Sequence, residues 1–282
     1  MTPASQKHKK IFRGAVPLTL LLAIGVQAAQ AQQTVQAQDD SLLPDWKLTS
    51  NLGFTDTNGY YGTLQNTNVQ LSLASLSLSD GNFKFTASVP YMRISGRGLV
   101  VFDASGNPIL INRRTSAPTD VRTGWGDLDL AASYVIPPTI LDGFEVRLGG
   151  LVKAPTASAR HRLSTGKTDV GASIDVSRQF GIWTPFVTIG YLDQGRPAGY
   201  TLYNTTSVSV GTSLELSENL VAVASYDYDS ANAPIVAAGQ ELSGSLSWVC
   251  TDKLTLTGYG TVGLSSGSPA MGVGFQISYG FN

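Results

Sequence analysis

The stretch Met271-Gly-Val-Gly-Phe-Gln-Ile-Ser-Tyr-Gly-Phe281 decides the fold. Met271, Val273, Phe275, Ile277, Tyr279 and Phe281 form one unbroken apolar series, and only glycine, glutamine and serine stand between them. Successive side chains of a strand point to opposite faces, so this is a strand with one apolar and one polar face.

The same alternation recurs upstream. In 206–217, Val208, Val210, Leu214 and Leu216 oppose Ser207, Ser209, Ser213 and Glu215. Leu242, Leu246 and Trp248 alternate with Ser243, Ser245 and Ser247. About twelve such segments are expected, over 45–54, 66–78, 82–93, 124–136, 143–155, 168–179, 183–193, 205–217, 219–229, 240–250, 253–263 and 270–281. In the second the phase changes near Ala74-Ser75, which predicts a β-bulge. Short links, such as Ser79-Asp80-Gly81 and Thr251-Asp252, alternate with longer ones, the longest running from Ile94 to Thr123. Transmembrane barrels have short periplasmic turns and long extracellular loops, and an even strand count places both termini on the short-turn side.

The expected fold is therefore all-β, a closed antiparallel transmembrane up-and-down β-barrel of about 12 strands. A soluble β-sandwich also alternates. The barrel is preferred because the apolar face recurs from strand to strand. Aromatics also sit near strand ends, among them Trp46, Tyr91, Trp125, Tyr134, Trp183, Tyr191, Trp248 and Tyr279, as interfacial girdles require. Lipid offers the backbone no partners, so the sheet must close.

The start of the chain reads as an export signal. Lys7, Lys9, Lys10 and Arg13 precede the apolar stretch 15–26, and Ala29-Gln30-Ala31 is a small-x-small cleavage site. Residues 1–31 are expected to be removed, 32–44 to form a flexible segment, and 45–282 to form the barrel. The chain has 19 basic and 20 acidic residues, and the signal holds the four basic ones just named and no acidic one. The remainder is acidic, which argues against a nucleic-acid partner. The single cysteine, Cys250, excludes an internal disulfide and any CxxC site.

Outward apolar faces leave an inward list. It holds Lys47, Asn51, Gln70, Lys84, Asp127, Asp129, Glu145, Arg147, Lys153, Asp169, Asp175, Glu215, Asp227 and Gln276. Of these, Asp127, Asp129, Glu145, Arg147, Lys153, Asp169, Asp175 and Asp227 are the candidates to line a solute path. A turn through 137–142 would bring Asp127 close to Lys153, while Asp129 and Arg147 meet only diagonally. Buried charges need partners or water, so a salt-bridged brace is the structural reading and a selective constriction the functional one. Twelve strands spaced ~4.8 Å and tilted ~40° give a diameter of about 24 Å and a bore of ~10 Å or less, which suits small solutes.

Catalysis is not expected. After the signal there is one histidine, His161, between Arg160 and Arg162 in a loop, with Ser158 and Ser164 nearby. That is a solvated setting and not a fixed nucleophile–base pair. No metal and no cofactor are expected, since one histidine and one cysteine cannot build a transition-metal site. The expected partners are outer-membrane lipid and lipopolysaccharide, the barrel-assembly machinery and a small-molecule solute. The alternative is a structural or surface-interaction barrel, in which Arg97, Arg113, Arg114 and Arg122 of the longest loop bind lipopolysaccharide or another partner.

Several segments resemble a known family. Gly124-Trp-Gly-Asp-Leu-Asp-Leu-Ala-Ala-Ser-Tyr134 is similar to its "GxGDL" strand, and Gly150-Leu-Val-Lys-Ala-Pro-Thr156 to its "lPTG" strand end. Leu163-Ser-Thr-Gly-Lys-Thr-Asp-Val-Gly171 is similar to its "G-S/T-G-x-x-D" strand start, and Trp183-Thr-Pro185 follows a short turn later. These motifs resemble the outer-membrane transporters named for the meta-cleavage pathway of phenol degradation. Ala157 stands where that family tends to have glycine. The resemblance spans 124–191 most strongly and implies a barrel that passes aromatic or other hydrophobic compounds. Phe281, penultimate in the chain, resembles the terminal aromatic of outer-membrane assembly signals.

Overall fold

A computed structural model of the chain describes residues 46–61, 66–96, 99–106, 108–112, 120–158, 160–234 and 236–281. The expected signal, the segment 32–44 and Arg97, Arg113 and Arg114 lie outside them.

The strands in chain order are β1 (Lys47–Gly59), β2 (Thr67–Ser79), β3 (Phe83–Gly96), β4 (Leu99–Phe102), β5 (Pro108–Asn112), β6 (Asp120–Trp125), β7 (Leu128–Ile136), β8 (Phe144–Ala154), β9 (Asp169–Arg178), β10 (Trp183–Asp193), β11 (Thr205–Ser217), β12 (Leu220–Asp229), β13 (Gly239–Val249), β14 (Leu254–Gly263) and β15 (Met271–Gly280). Each wall strand pairs antiparallel with its sequence neighbour, and β1 also pairs with β15 through Leu52↔Ile277 and Phe54↔Phe275. The sheet is thereby closed. β6 and β7 together make one wall strand, because β3 pairs with both, at Tyr91↔Trp125 and Ser88↔Asp129. The wall thus has twelve strands, as the alternation implied.

The barrel is inside out relative to a water-soluble protein. Leu52 is 62 % exposed, Trp125 59 % and Val273 54 %. Asn51, Thr55, Ser77, Thr188, Ser247 and Gln276 face inward and are buried. A sandwich with its core between two sheets would bury the first set instead. Exposed apolar rows on every wall strand would be an aggregation liability in water, and they match lipid tails. Aromatic contacts gather toward the rims, with Phe83–Tyr134 ring centroids 4.7 Å apart and Arg178 lying 4.7 Å over Phe144 near the short turns. Among the described residues no helix is long and apolar enough to cross a membrane.

The fold departs from expectation in four places. The register of β1 with β2 runs unbroken through Leu52↔Ala74 and Asn51↔Ser75, so there is no bulge at Ala74-Ser75. The phase changes because the environment does: Leu76 and Leu78 face lipid, while Val69, Leu71 and Leu73 face an apolar layer inside. A register shift occurs instead at Glu215/Ser217, beside a short turn. The fourth wall strand is interrupted at Gly126-Asp127, where the Gly126 N–H still reaches Pro90 O at 2.7 Å. The connection 94–123 is no plain loop, for it contains the hairpin β4–β5, which forms a two-stranded sheet of its own.

Candidate functional site

The site is the lumen, and its two halves differ. Toward the short turns it is lined with small polar side chains. Asn51 Nδ2 donates to Ser75 Oγ at 3.1 Å, Ser77 and Thr86 share a bond of 2.9 Å, and Ser247 and Thr257 one of 2.8 Å. At mid-height Tyr259 crosses over β15 and meets Thr55 Oγ1 at 2.6 Å, while its hydroxyl donates to Phe54 O at 3.1 Å. The ring passes so close to Gly274 that a Cβ there would fall inside it. Only glycine allows that crossing.

Charge concentrates on the wall from β7 to β9. Asp129, Lys153 and Asp169 stand opposite one another across those strands. Lys153 Nζ lies 2.7 Å from Asp169 Oδ2 and 3.6 Å from Asp127 Oδ2, with all three side chains buried. Asp127 accepts further bonds from the Ala157 N–H at 2.9 Å and from Ser164 Oγ. Ala157 needs no positive φ to do this, so the missing glycine costs nothing here. Arg147 pairs with Glu145 at 3.2 Å, and Asp175 accepts from Thr188 Oγ1 at 2.6 Å. Asp227 faces inward opposite Glu241.

All eight candidate residues therefore line the lumen wall. Lys153 joins Asp127 and Asp169 into one group, whereas Arg147 sits with Glu145 and Asp175 nearer the short turns. Gln70 is the exception in the longer list. Its register partner Asp56 is on the outer face, and its Nε2 donates to Asp56 Oδ2 at 3.0 Å near the long-loop rim. The apparent phase change of β2 had placed it on the wrong side.

The long-loop half is filled by the hairpin. Val100, Val101, Phe102 and Ile109 are buried against Val69, Met92 and Ile94 of the wall and against Tyr61, Leu163, Leu202, Ala233 and Val236 of the loops. Burying a large apolar side chain contributes about 1.5–3 kcal/mol, so four of them hold the hairpin firmly. Polar anchors fix its position. Arg122 Nη2 donates to Val100 O at 2.9 Å, the Ala104 N–H to Asp169 Oδ2 at 3.1 Å, Gln194 Nε2 to Asp103 Oδ2 at 2.8 Å, and Asn232 Nδ2 to Pro108 O at 2.9 Å. Tyr61 closes the layer, its hydroxyl 2.7 Å from Thr57 Oγ1, and burial pushes its ionisation up.

Arg122 is thus a buried lumen residue, not a surface cation; besides the hairpin it holds the Arg162 carbonyl. His161 is exposed and lies over Gly124, while the nearby Ser164 hydroxyl is engaged by Asp127. Among the described residues no three His, Cys, Asp or Glu side chains are arranged to hold a metal ion.

Sequence reasoning missed the hairpin, though its signal was present. Leu99-Val-Val-Phe102 and Pro108-Ile-Leu-Ile111 flank Asp103-Ala-Ser-Gly-Asn107, two short β-rich runs around turn residues. The runs lack alternation because the hairpin lies inside the barrel, with no face toward solvent.

No family model matches the chain, and no curated protein matches it. Solved structures do resemble it in fold. The NanC porin is 13 % identical, with 83 % of this chain and 99 % of that chain covered and a TM-score of 0.49. The KdgM porin is 10 % identical over 83 % and 99 %, also at 0.49. The P. putida toluene transporter TodX is 11 % identical over 85 % and 91 %, at 0.41. Likeness at this level carries no argument about cargo.

Proposed function

We propose that the protein is an outer-membrane channel that lets small hydrophobic or aromatic solutes diffuse passively through its lumen. The observation that carries the reading is the hairpin β4–β5, whose apolar residues fill the long-loop half of the lumen above a hydroxyl-lined lower half. A solute with an apolar ring and a polar group would meet apolar side chains at the hairpin and hydroxyls below it. The motif resemblance over 124–191 points to the same solute class. In this reading the chain is exported with removal of residues 1–31 and inserted by the barrel-assembly machinery. Asp127, Asp129, Lys153, Asp169 and Asp227 would line the path beside the hairpin and Glu145, Arg147 and Asp175 below it, and the lipid-facing rows would contact outer-membrane lipid and lipopolysaccharide.

The surface-interaction alternative is weakened by Arg122, which is turned into the lumen. The test is flux. The folded barrel is reconstituted into liposomes and uptake of a small phenol-class solute is compared with that of a sugar of similar mass. Faster entry of the aromatic supports the reading. Entry of neither, or faster entry of the sugar, overturns it.

A further inference from the structure

We propose that Arg178 anchors a binding site for the phosphodiester headgroup of a glycerophospholipid in the periplasmic leaflet. The site lies where turns 137–143 and 179–182 join β7 to β8 and β9 to β10, at the short-turn end of the wall. In transmembrane barrels that end faces the periplasm.

The first observation is how Arg178 is held. Its N–H groups meet no hydrogen-bond acceptor and no carboxylate among the described residues. Asp142 is the acidic residue of the two turns, and it forms no ion pair with Arg178. Other arginines of the barrel spend their donors on the protein. Arg147 pairs with Glu145, Arg122 holds the carbonyls of Val100 and Arg162, and Arg196 donates to Leu202 O. Arg178 is held by rings instead. Its Cζ lies 4.7 Å from the centroid of Phe144 and 5.3 Å from that of Phe180. Ring faces attract the cation through their quadrupole and take none of its N–H donors. The guanidinium is thus fixed in place with its hydrogen-bonding capacity unspent.

Parity gives its direction. Asp175 and Ser177 point inward and are buried, while Ile174 is exposed on the outer face. Arg178 continues the outer series and stands opposite Phe144, which is also exposed. The free donors are therefore on the lipid side of the wall, at its periplasmic edge.

The surroundings choose the occupant. The other short turns end in polar residues, Asp80-Gly81-Asn82, Glu218-Asn219 and Thr251-Asp252-Lys253. The two turns beside Arg178 differ. Ile140 is 67 % exposed and Phe180 56 %, and Leu141, Ile182 and Trp183 are exposed with them. Such a patch in periplasmic water would be a liability, whereas the interfacial layer of a membrane accepts aromatic and aliphatic side chains. A cation set among them calls for an anion that arrives with apolar chains. A guanidinium presents a rigid fork of donors that matches phosphate. With the phosphodiester on Arg178, the acyl chains would run toward mid-membrane along the outward pairs Val146↔Val176 and Leu148↔Ile174. A soluble anion would use the arginine and leave the apolar turns bare. The contact would hold both turns at headgroup depth.

The inference rests on the placement of the wall in the membrane and not on the channel reading, and its test uses no flux. The folded barrel in a neutral detergent is titrated with dioleoyl phosphatidylglycerol or with dioleoylglycerol, which has the same chains and no phosphate. Retained lipid is counted by native mass spectrometry. One phosphatidylglycerol is expected to be retained at low lipid excess, about fivefold more tightly than dioleoylglycerol, the effect of one favourable charge near a membrane surface. Arg178→Gln should abolish that difference while leaving dioleoylglycerol retention unchanged. Arg178→Lys should keep part of it, since the charge remains and the fork is lost. If Arg178→Gln does not fold, as judged by loss of the β circular-dichroism signal, Arg178→Lys carries the test, and a preference equal to that of the unaltered protein then counts against the site. Equal retention of the two lipids by the unaltered protein, a preference that survives Arg178→Gln, or an equal loss of both lipids in that variant would each overturn the proposal.

Discussion

The two halves of the lumen are built from the same strands yet by different rules. Toward the short turns, serine, threonine, asparagine and glutamine bond to one another and to wall charges. Toward the long loops, the inner faces of β2 and β3 turn apolar, and a hairpin from the β3–β6 connection packs on them. The outer face shows no such change at mid-height, since lipid meets both halves. The difference teaches that the wall sets the radius and an insert sets the passage. Each half can then be challenged separately.

The largest effect is expected from the insert. Replacing residues 98–113 by a short Gly-Ser link should raise single-channel conductance several-fold, because the ~10 Å bore allowed by twelve strands would be restored in the long-loop half. It should also abolish any preference for aromatic over sugar uptake. Planar-bilayer recording checks the first and liposome uptake the second. Unchanged conductance would mean that the hairpin does not narrow the path, and the contrast between halves would lose its functional meaning.

Next comes the link between halves. Lys153 sits between Asp127 and Asp169, and Asp169 in turn receives the hairpin's Ala104 N–H and the Gly195 N–H at 2.9 Å. Lys153→Met leaves two buried carboxylates without their cation. Breaking a buried pair costs about 3–5 kcal/mol. The low end is expected, since Asp169 keeps two backbone donors. Urea unfolding of the barrel in lipid bilayers measures this. The double variant Lys153→Met with Asp169→Asn should recover part of the loss, and a loss below that of an exposed pair would remove the latch from the account.

What was legible in advance divides along the same line. The wall was legible because lipid outside and polarity inside impose period two on every strand, as in Met271 to Phe281. Parity then placed Asp129, Lys153, Asp175 and Asp227 inward, and β1 closed on β15. Gln70 was misplaced because β2 carries apolar residues on its inner face near one end and its outer face near the other. The outer-equals-apolar rule fails there. Arg122 and the hairpin were hidden for a related reason. A segment inside the barrel sees protein on all sides, so neither alternation nor exposure marks it. The Lys153 pairing was half legible: the β7–β8 turn brought Asp127 near, but Asp169 needed the β8–β9 register.

Mid-height offers a smaller and sharper comparison. Gly274 lies under the Tyr259 ring, while Gly258, one strand away and facing outward, has nothing within 4 Å of a Cβ position. Gly274→Ala should cost about 1–3 kcal/mol by overpacking and break the Tyr259–Thr55 bond. Gly258→Ala should stay within ~0.5 kcal/mol. Equal effects in bilayer unfolding would show that the tyrosine does not lie across the strand.

The smallest effect distinguishes the two walls rather than the two ends. Asp227, Asp229 and Glu241 crowd β12 and β13, and Asp127, Asp129 and Asp169 share one lysine across β7–β9, so among the described residues carboxylates outweigh the inward bases Lys47, Lys84, Arg122, Arg147 and Lys153. A cleft lined by one sign concentrates counter-ions. Reversal potentials in a KCl gradient should therefore show potassium favoured over chloride by a factor of a few. The preference should shrink as salt rises, since the screening length falls from ~10 Å at 0.1 M to ~3 Å at 1 M, well within the bore. Asp227→Asn should lower it, because that carboxylate accepts from three serine hydroxyls and no cation among the described residues pairs with it. Glu145→Gln should lower it less, since Arg147 already offsets that charge at 3.2 Å. Chloride preference, or equal responses from the two variants, would mean that ions follow a route away from these walls.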